Sequence, residues 1–132
     1  TPEVMKMKNT VVLPHLGAST KEAEDNCAIM AVREMVDYFE NGNITHSVNY
    51  PDCDMGVCPE GMTRLAMLHR NVPNMIAQIT TILGEDNVNI ANLMNKARGE
   101  HAYTLVDLDQ PASDEAMAKI RAIESVRRLR YI

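Results

Sequence analysis

The sequence contains no tryptophan, one phenylalanine and four tyrosines among its 132 residues, and its net charge is −5. Proteins that bind nucleic acid need a basic face for phosphates, and sheet-based RNA binders add exposed aromatic side chains on which bases stack. Uninterrupted apolar runs are only a few residues long, so no segment is expected to cross a bilayer. These absences argue against nucleic acid and membrane as the main partners.

Cysteine is also scarce, and the three present, Cys27, Cys53 and Cys58, are an odd number. Cys27 falls within a helical pattern, where a small buried or half-buried thiol is the usual case. The gap between Cys53 and Cys58 lacks the two further ligands that a zinc site needs, so we expect no metal site. We therefore expect the three cysteines to be reduced thiols in a cytoplasmic protein.

The 45% hydrophobic and 23% charged residues are typical of a globular protein. Residues 1–60 carry ten acidic and four basic side chains, whereas residues 61–132 carry eight and nine. This shift indicates either a domain boundary or two differently charged surfaces. Proline, glycine and aspartate are dense between Pro51 and Gly61, which predicts a linker. We therefore divide the chain into residues 1–50, a linker at 51–62 and a domain at 63–132.

The first block has a strand-like run at Val11–Leu13 and a helical stripe at Ser19–Phe39. Ser19 is suited to cap the helix, with Glu22 closing a capping box. Asn41 or Gly42 is suited to the left-handed position that ends it. Only fourteen residues precede His15 and the chain starts at Thr1, so we expect the block to be the remnant of a larger α/β enzyme.

The second block alternates between strand and helix periodicity. Its predicted elements are a strand at Thr63–Arg70, a helix at Pro73–Leu83, strands at Val88–Ala97 and His101–Asp109, a helix from Ser113 to about Ile123, and a strand at Val126–Ile132. The order βαββαβ predicts an α+β, ferredoxin-like domain with a four-stranded antiparallel sheet. One face of that sheet packs on two helices, and the other is expected to meet solvent or a partner.

This fold hosts several functions, so it names none by itself. An RNA-recognition domain needs aromatic residues where this chain has Glu100 and Ala102. A metal carrier needs a CxxC pair in the first loop, and Asn71–Asn74 has no cysteine. These two alternatives are therefore disfavoured.

The first loop, His69–Asn74, leads into the start of a helix. Free N–H groups at a helix start suit a carboxylate, and His69 and Asn71 add polar groups beside them. Asn89 and Asn92 are expected to reach the same crevice, which would suit an amino acid. The alternative is that these are ordinary turn residues.

Leu68–Pro73, followed by Val88–Ala91, resembles the ACT domain, an amino-acid-sensing module. The resemblance implies that His69, Asn71 and Asn89 bind an effector, with L-serine as the expected ligand, and that the domain self-associates with effectors at the seam. Many ACT domains have glycine where this chain has Asn74, which tolerates a left-handed backbone but narrows the pocket.

Leu13–Ala23 resembles the catalytic-histidine segment of the D-isomer-specific 2-hydroxyacid dehydrogenases. That resemblance implies an acid/base role for His15 in NAD-dependent hydride transfer, and places Gly17, Ala18 and Ser19 beside the nicotinamide. Because the ACT pattern follows this segment along the chain, the whole sequence resembles the C-terminal, regulatory part of a dehydrogenase of this family that acts in serine biosynthesis. The other segments of such an enzyme are absent, so the fragment is expected to be inactive, to leave His15 without a role and to bind no cofactor. The alternative function is an oligomerisation scaffold whose effector site is degenerate.

Overall fold

The computed structural model describes residues 2–132 and divides into two compact units, one ending at Arg33 and the other covering Glu34–Ile132. Each unit is described by itself, although one helix continues across the division. The elements in chain order are a 3-10 helix at Glu3–Lys6, α1 at Lys21–Asn41, β1 at Thr63–Arg70, α2 at Met75–Glu85, β2 at Ile90–Arg98, β3 at His101–Leu108, α3 at Asp114–Arg121 and β4 at Val126–Tyr131. No helix within residues 2–132 has the length and apolar character that a bilayer crossing requires.

The first unit contains no strand among its described residues. Val11, Val12 and Leu13 are 85%, 51% and 75% exposed. The strand predicted there is wrong, because a strand needs a neighbour that pairs its backbone N–H and C=O groups, and these residues have none.

The start of α1 also differs from the prediction. The Ala23 N–H donates to Thr20 Oγ1 over 3.1 Å, so Thr20 and not Ser19 caps the helix. With the cap moved by one residue, the third helical position is Ala23. Glu22 therefore cannot close the predicted capping box.

The end of α1 agrees with the prediction. Gly42 has a φ of +76°, and its N–H donates to the Tyr38 carbonyl over 3.1 Å. A Cβ at this position would lie 3.0 Å from Leu105 Cδ2 and 3.1 Å from Ile132 Cδ1. Glycine is thus required both by the left-handed backbone and by the close approach of the sheet.

The second unit contains a four-stranded sheet in the order β2-β3-β1-β4, with every neighbouring pair antiparallel. The predicted βαββαβ order and ferredoxin-like α+β class are confirmed. Ser113 caps α3 as expected, since its Oγ accepts the Ala116 N–H over 3.1 Å. The main difference is at α2, which begins at Met75 and not at Pro73.

The two helices α2 and α3 cover one face of the sheet, which we call the helix side. The core there is built from apolar residues of both layers: Leu65, Met67, Met75, Ile79, Leu83, Val88, Val106, Leu108, Ala112, Ala116, Met117 and Ile120. On α2 the buried residues are Met75, Ile79 and Leu83, one every four residues, as a helical stripe requires.

The opposite face of the sheet is covered by the chain's own residues. Ile44 and Cys53 pair through two backbone hydrogen bonds of 2.9 Å. Their side chains are buried in a second core with Ala66, Tyr103 and Leu105. We call residues 42–56 the cover segment. The expectation that this face meets solvent or a partner is therefore wrong where the cover segment lies.

A buried ion pair holds the cover segment in place. Arg64 is 0% exposed and Asp107 is 1% exposed, and Arg64 Nε donates to Asp107 Oδ1 over 2.6 Å. The remaining guanidinium N–H groups donate to Asp107 Oδ2 (3.0 Å) and to the carbonyl oxygens of Asn41 (3.0 Å), Gly56 (2.6 Å) and Met55 (3.3 Å). All five donors are used, and the hydrogen bond to Asp107 raises the pKa of Arg64 above its usual value.

Replacing Arg64 by Leu leaves the buried Asp107 carboxylate without a compensating positive charge. We expect the free energy of unfolding to fall by about 3–5 kcal/mol, because an uncompensated buried charge is far more costly than a lost contact. Urea denaturation measures this loss. The control is Lys119→Ala, which removes an exposed 2.9 Å pair with Glu115 and should have no measurable effect. If the free energy of unfolding fell by the same small amount in Arg64→Leu and in Lys119→Ala, the central role of Arg64 would be contradicted.

The three cysteines differ in environment. Cys27 is exposed, contrary to the prediction, because α1 buries none of its side chains. Cys53 is 0% exposed, and burial raises the pKa of its thiol to about 11. Burial also raises the pKa of the half-buried Cys58.

Alkylation should therefore separate the cysteines. The thiolate is the reactive form, and with a pKa of about 11 only about one Cys53 in a thousand is ionised at pH 8. We expect iodoacetamide at pH 8 to modify Cys27 first, Cys58 more slowly and Cys53 only after unfolding, as read by peptide mass spectrometry. Modification of Cys53 at the rate of Cys27 in the folded chain would show that the cover segment is open.

Candidate functional site

The residues predicted to act in the dehydrogenase reaction lie on exposed backbone of the first unit. His15, Gly17, Ala18 and Ser19 are all exposed, and a Cβ at Gly17 would lie 3.4 Å from His15 Nε2. The structure thus places the four together on one turn but encloses none of them.

His69 is the most buried of the predicted effector residues, at 3% exposure. Its Nε2 lies 2.8 Å from Thr104 Oγ1, and its Nδ1 lies 2.9 Å from the carbonyl oxygen of Arg70. Both ring nitrogens are therefore engaged inside the domain. That His69 binds an effector stays a prediction, with the ring already held in place by Thr104 and Arg70.

Asn71 lies in the loop between β1 and α2 and contacts the turn between β2 and β3. Its side-chain amide donates to the Gly99 carbonyl over 3.0 Å, and its backbone N–H donates to the Glu100 carbonyl over 2.9 Å. The side-chain Oδ1 is left free to accept a hydrogen bond. Asn71 is thus exposed but fixed in orientation.

Asn89 lies at the other end of the sheet. Its backbone N–H donates to Asp109 Oδ1 over 3.1 Å, and its carbonyl accepts the Asp109 N–H over 3.1 Å, which leaves its exposed side chain free. Asn92 faces the side away from the helices, where its amide lies 3.4 Å from Asp107 Oδ2. The expectation that Asn92 reaches the effector crevice is therefore wrong, because a bulge between Ile90 and Asn92 interrupts the strand register there.

A single copy of the domain does not bring Asn71 and Asn89 together. Asn71 is at the end of β3 that begins with His101, whereas Asn89 is at the end that finishes with Leu108. The eight residues of β3 separate them by roughly 25 Å at about 3.3 Å per residue. The predicted effector residues therefore lie in two groups, one at each end of the sheet, and we refer to these groups as half-sites.

The half-site at Asn71 includes the start of α2. Asn74 precedes the helix with a φ of +68° and makes no capping hydrogen bond through its side chain. Its left-handed backbone agrees with the expectation that asparagine replaces a glycine there. Because no side chain caps α2, the first N–H groups of the helix remain available to an anion.

Two polar residues beside His69 were missed by the sequence reasoning. Thr104 is fully buried in β3, and its hydroxyl donates to Asn95 Oδ1 on β2 over 2.9 Å. The sequence did contain a signal for them: Thr104 occupies an inward-facing position of a strand whose other inward-facing residues are apolar. A threonine at such a position needs a hydrogen-bond partner, and this indicates a polar neighbour on the next strand.

Two clefts of the described surface are lined by residues other than His69, Asn71 and Asn89. A cleft of about 450 Å³ is lined by Gln78, Lys119, Ala122, Ile123, Glu124 and Ser125, and one of about 290 Å³ runs along the outer side of α2. Within residues 2–132 there is also no cluster of three His, Cys, Asp or Glu side chains that could hold a metal ion.

The chain is similar over its whole length to D-3-phosphoglycerate dehydrogenases. It is 27% identical over 134 aligned positions to that of Escherichia coli K12, covering 100% of this chain and 32% of the relative. It is 31% identical over 130 positions to that of Dictyostelium discoideum, covering 98% and 31%, and 30% identical to that of Haemophilus influenzae, covering 94% and 30%. The chain spans about a third of the length of these relatives. The resemblance to a dehydrogenase that was drawn from the sequence is confirmed.

Among solved structures, the ACT domain of a GTP pyrophosphokinase from Chlorobium tepidum is similar at a TM-score of 0.47 and 16% identity, covering 54% of this chain and 96% of that one. The regulatory subunit of aspartate kinase from Thermus thermophilus has a TM-score of 0.45 and 13% identity, covering 55% and 52%. No model of a protein family matches the chain.

The left-handed backbone at Asn74 gives a testable prediction. Asn74→Gly should leave the free energy of unfolding almost unchanged, whereas Asn74→Ala should lower it by about 1 kcal/mol, because a Cβ without a polar side chain disfavours this conformation. The control is Lys96 in the extended strand β2. At this position the order of stability should reverse, so that Lys96→Gly lowers the free energy of unfolding more than Lys96→Ala does. Thermal and urea denaturation measure both pairs, and the same order at the two positions would contradict the assigned conformation.

Proposed function

We propose that the chain is the C-terminal regulatory part of an NAD-dependent D-3-phosphoglycerate dehydrogenase of serine biosynthesis. The observation that carries the proposal is the similarity to those enzymes over the whole chain. The βαββαβ domain would be an ACT domain that binds L-serine or a similar amino acid between two copies and thereby provides feedback. Its location would be cytoplasmic.

The position of the two half-sites supports binding between copies. β2 is an edge strand, so one side of its nine-residue backbone has no strand partner in the described chain. If two copies pair antiparallel through β2, the end of one strand lies beside the start of the other. The Asn71 half-site of one copy then meets the Asn89 half-site of its partner, which makes two equivalent composite sites.

The chemistry of such a composite site suits an amino acid. The uncapped start of α2 favours the carboxylate. The free Oδ1 of Asn71 and the free amide of Asn89 offer acceptors for the ammonium and donors for a side-chain hydroxyl. His69 contributes by holding the strand end from which Asn71 emerges and not by direct contact.

The other candidate function is a pairing scaffold with a degenerate effector site. The specific observation in its favour is Asn74, whose side chain projects from the loop beside the start of α2 without a hydrogen bond of its own. It occupies space that a glycine would leave to a ligand. Pairing through β2 is common to both functions, and effector binding distinguishes them.

The dehydrogenase part of the proposal concerns the longer protein. His15 would exchange a proton with the substrate hydroxyl, and Gly17, Ala18 and Ser19 would lie beside the bound NAD, which accepts or supplies the hydride. The exposed turn on which these residues lie is compatible with an edge of that site. The chain described here, with no enclosing residues around the turn, would not turn over substrate by itself.

A thermal-melt panel of the 132-residue chain with L-serine, D-serine, glycine and phosphoserine tests effector binding. A ligand at a hundred times its Kd adds about 2.7 kcal/mol per site, so a raised Tm is readily seen. We expect a shift with L-serine and none with D-serine. The shift should be lost in Asn71→Ala and in Asn89→Ala but kept in Asn92→Ala, which lies on the other face. Dimers without any ligand shift would favour the scaffold function.

Mixing two variants that each fail to bind L-serine tests whether every site is built from residues of two copies. Heterodimers of Asn71→Ala and Asn89→Ala chains contain one site with both asparagines and one site with neither. Exchange of subunits in the mixture should therefore restore L-serine binding to about half of the heterodimers' sites, as read by isothermal titration calorimetry. If each site belonged to a single copy, the mixture would bind L-serine no better than either variant alone.

A further inference from the structure

Four cationic side chains and one imidazole are exposed together at one end of the sheet. The pairing register aligns three of them, because His101 of β3 pairs with Arg98 of β2 on one side and with Arg70 of β1 on the other. One step further along the strands, Lys96 and Arg128 lie on the outer strands β2 and β4. All five side chains are exposed, and we call them the basic strip.

The middle of the cover segment lies beside the basic strip. The Arg98 guanidinium donates to the Ser47 carbonyl over 3.2 Å, and the rings of Tyr50 and His101 lie 5.3 Å apart. These contacts place Arg98 and His101 on the face of the sheet that carries the cover segment. The strands thus form the floor of the strip, and Ser47 and Tyr50 border it on one side.

Arg70 and Arg128 lie on the same face. Arg70 follows Leu68 by two residues along β1, and Leu68 packs against the second core under the cover segment. Arg128 pairs with Leu68 and therefore shares its face. Since neighbouring strands are about 4.8 Å apart, the Cα atoms of Arg70 and Arg98 are roughly 10 Å apart, with His101 between them. At this spacing the two long side chains can converge on one group above the imidazole.

The basic strip has no carboxylate to balance its charge. Within residues 2–132, no Asp or Glu oxygen lies within 4 Å of a nitrogen of these five side chains, although the chain as a whole carries a net charge of −5. Arg98 alone among the five has a side-chain hydrogen bond to the described part of the chain. Cations this close repel one another, and an anion bound among them removes the repulsion.

A phosphate group suits the three aligned side chains of the strip. A guanidinium binds phosphate oxygens through two parallel N–H donors, and an imidazole has at least one N–H to donate in either charge state. A phosphate group with three free oxygens offers one to each of Arg70, Arg98 and His101, whereas a carboxylate has only two. The donor set therefore favours phosphate over carboxylate.

An acidic protein surface is the other partner that a group of cations could attract. Protein interfaces have an apolar centre surrounded by polar groups. On the described strands, Tyr131 is the one large apolar side chain that is exposed, and it pairs with Leu65 at the other end of the sheet. Val48 of the cover segment is exposed, but it is a single small side chain. The strip therefore suits a small anion better than a protein.

We propose that Arg70, Arg98 and His101 bind the phosphate group of a small molecule. Lys96 and Arg128 would raise the positive potential on its two sides without being required for contact. The inference goes beyond the proposed function and does not depend on it, because it needs neither the pairing of two copies nor a bound amino acid.

Titration of the 132-residue chain with inorganic phosphate, followed by calorimetry and by NMR of the His101 ring, tests the proposal. KCl keeps the ionic strength constant during the titration. We expect saturable binding, and Arg70→Gln and Arg98→Gln should each weaken it about tenfold or more, since each removes a charge-assisted pair of hydrogen bonds. The matched control is Arg121→Gln, which removes the same charge from an exposed residue of α3 and should leave the affinity almost unchanged.

Arg98→Lys keeps the charge but loses the two parallel donors, so its affinity should lie between those of the unaltered chain and Arg98→Gln. The Tm of each variant without ligand shows whether it is folded. Glycerol 3-phosphate, titrated in the same way, shows whether a phosphomonoester or free phosphate is the better ligand, and saturable binding of either supports the proposal.

The absence of saturable binding for both phosphate compounds overturns the inference. Equal losses in Arg98→Gln and in the control Arg121→Gln overturn it as well, and so does binding of a glutamate-rich peptide by a chain that binds neither phosphate compound. Asn89→Ala, at the other end of the sheet, should bind phosphate like the unaltered chain. A failure of L-serine binding therefore counts against the proposed function alone.

Discussion

The buried guanidinium of Arg64 is the interaction on which the rest of the second unit depends. Its five N–H groups are shared between the Asp107 carboxylate and three carbonyl oxygens from the end of α1 and from the cover segment. A charge at 0% exposure is tolerated only with all of its partners in place. The pair Arg64–Asp107 joins β1 to β3, and the carbonyl contacts fix the cover segment against both strands.

This constraint determines which surfaces of the sheet are left for other molecules. The helices α2 and α3 occupy one face, and Ile44 and Cys53 bring the cover segment onto the other. The cover segment is held a second time in its middle, where the Arg98 guanidinium donates to the Ser47 carbonyl over 3.2 Å and the Tyr50 and His101 rings lie 5.3 Å apart. With both faces occupied except at the basic strip, the edges β2 and β4 are the parts of the sheet left open to other molecules; the cationic residues Arg127, Arg128 and Arg130 are spread along β4, whereas Lys96 and Arg98 lie near one end of β2.

The parts of this arrangement that could be predicted from the sequence are those with a local cause. The strand at Thr63–Arg70, the cap at Ser113 and the end of α1 at Gly42 follow from periodicity and from single-residue preferences. The Arg64–Asp107 pair joins residues 43 positions apart, and no local pattern indicates it. His69 was predicted to bind an effector, but its burial beside Thr104, 35 residues away, has no local signal in the sequence. The prediction at Val11–Leu13 was wrong for the opposite reason: the local pattern is that of a strand, but no neighbouring strand is there to pair with it.

A site divided between the two ends of an edge strand has a thermodynamic consequence. Asn71 and Asn89 are held apart by the length of β3, so an amino acid that needs both can bind only to the paired form. Under the proposed function, binding and pairing would be one linked equilibrium, in which the effector stabilises the dimer and pairing raises the affinity for the effector. In the proposed pair, β2 would gain a second neighbour, and within one copy it already pairs with β3 from Ile90 to Arg98. Through β3 the difference reaches Tyr103, whose hydroxyl donates to the Gly42 carbonyl over 2.6 Å at the end of α1. Under the proposed function, a change at the paired edge β2 would therefore extend through β3 to the end of α1 within the same unit.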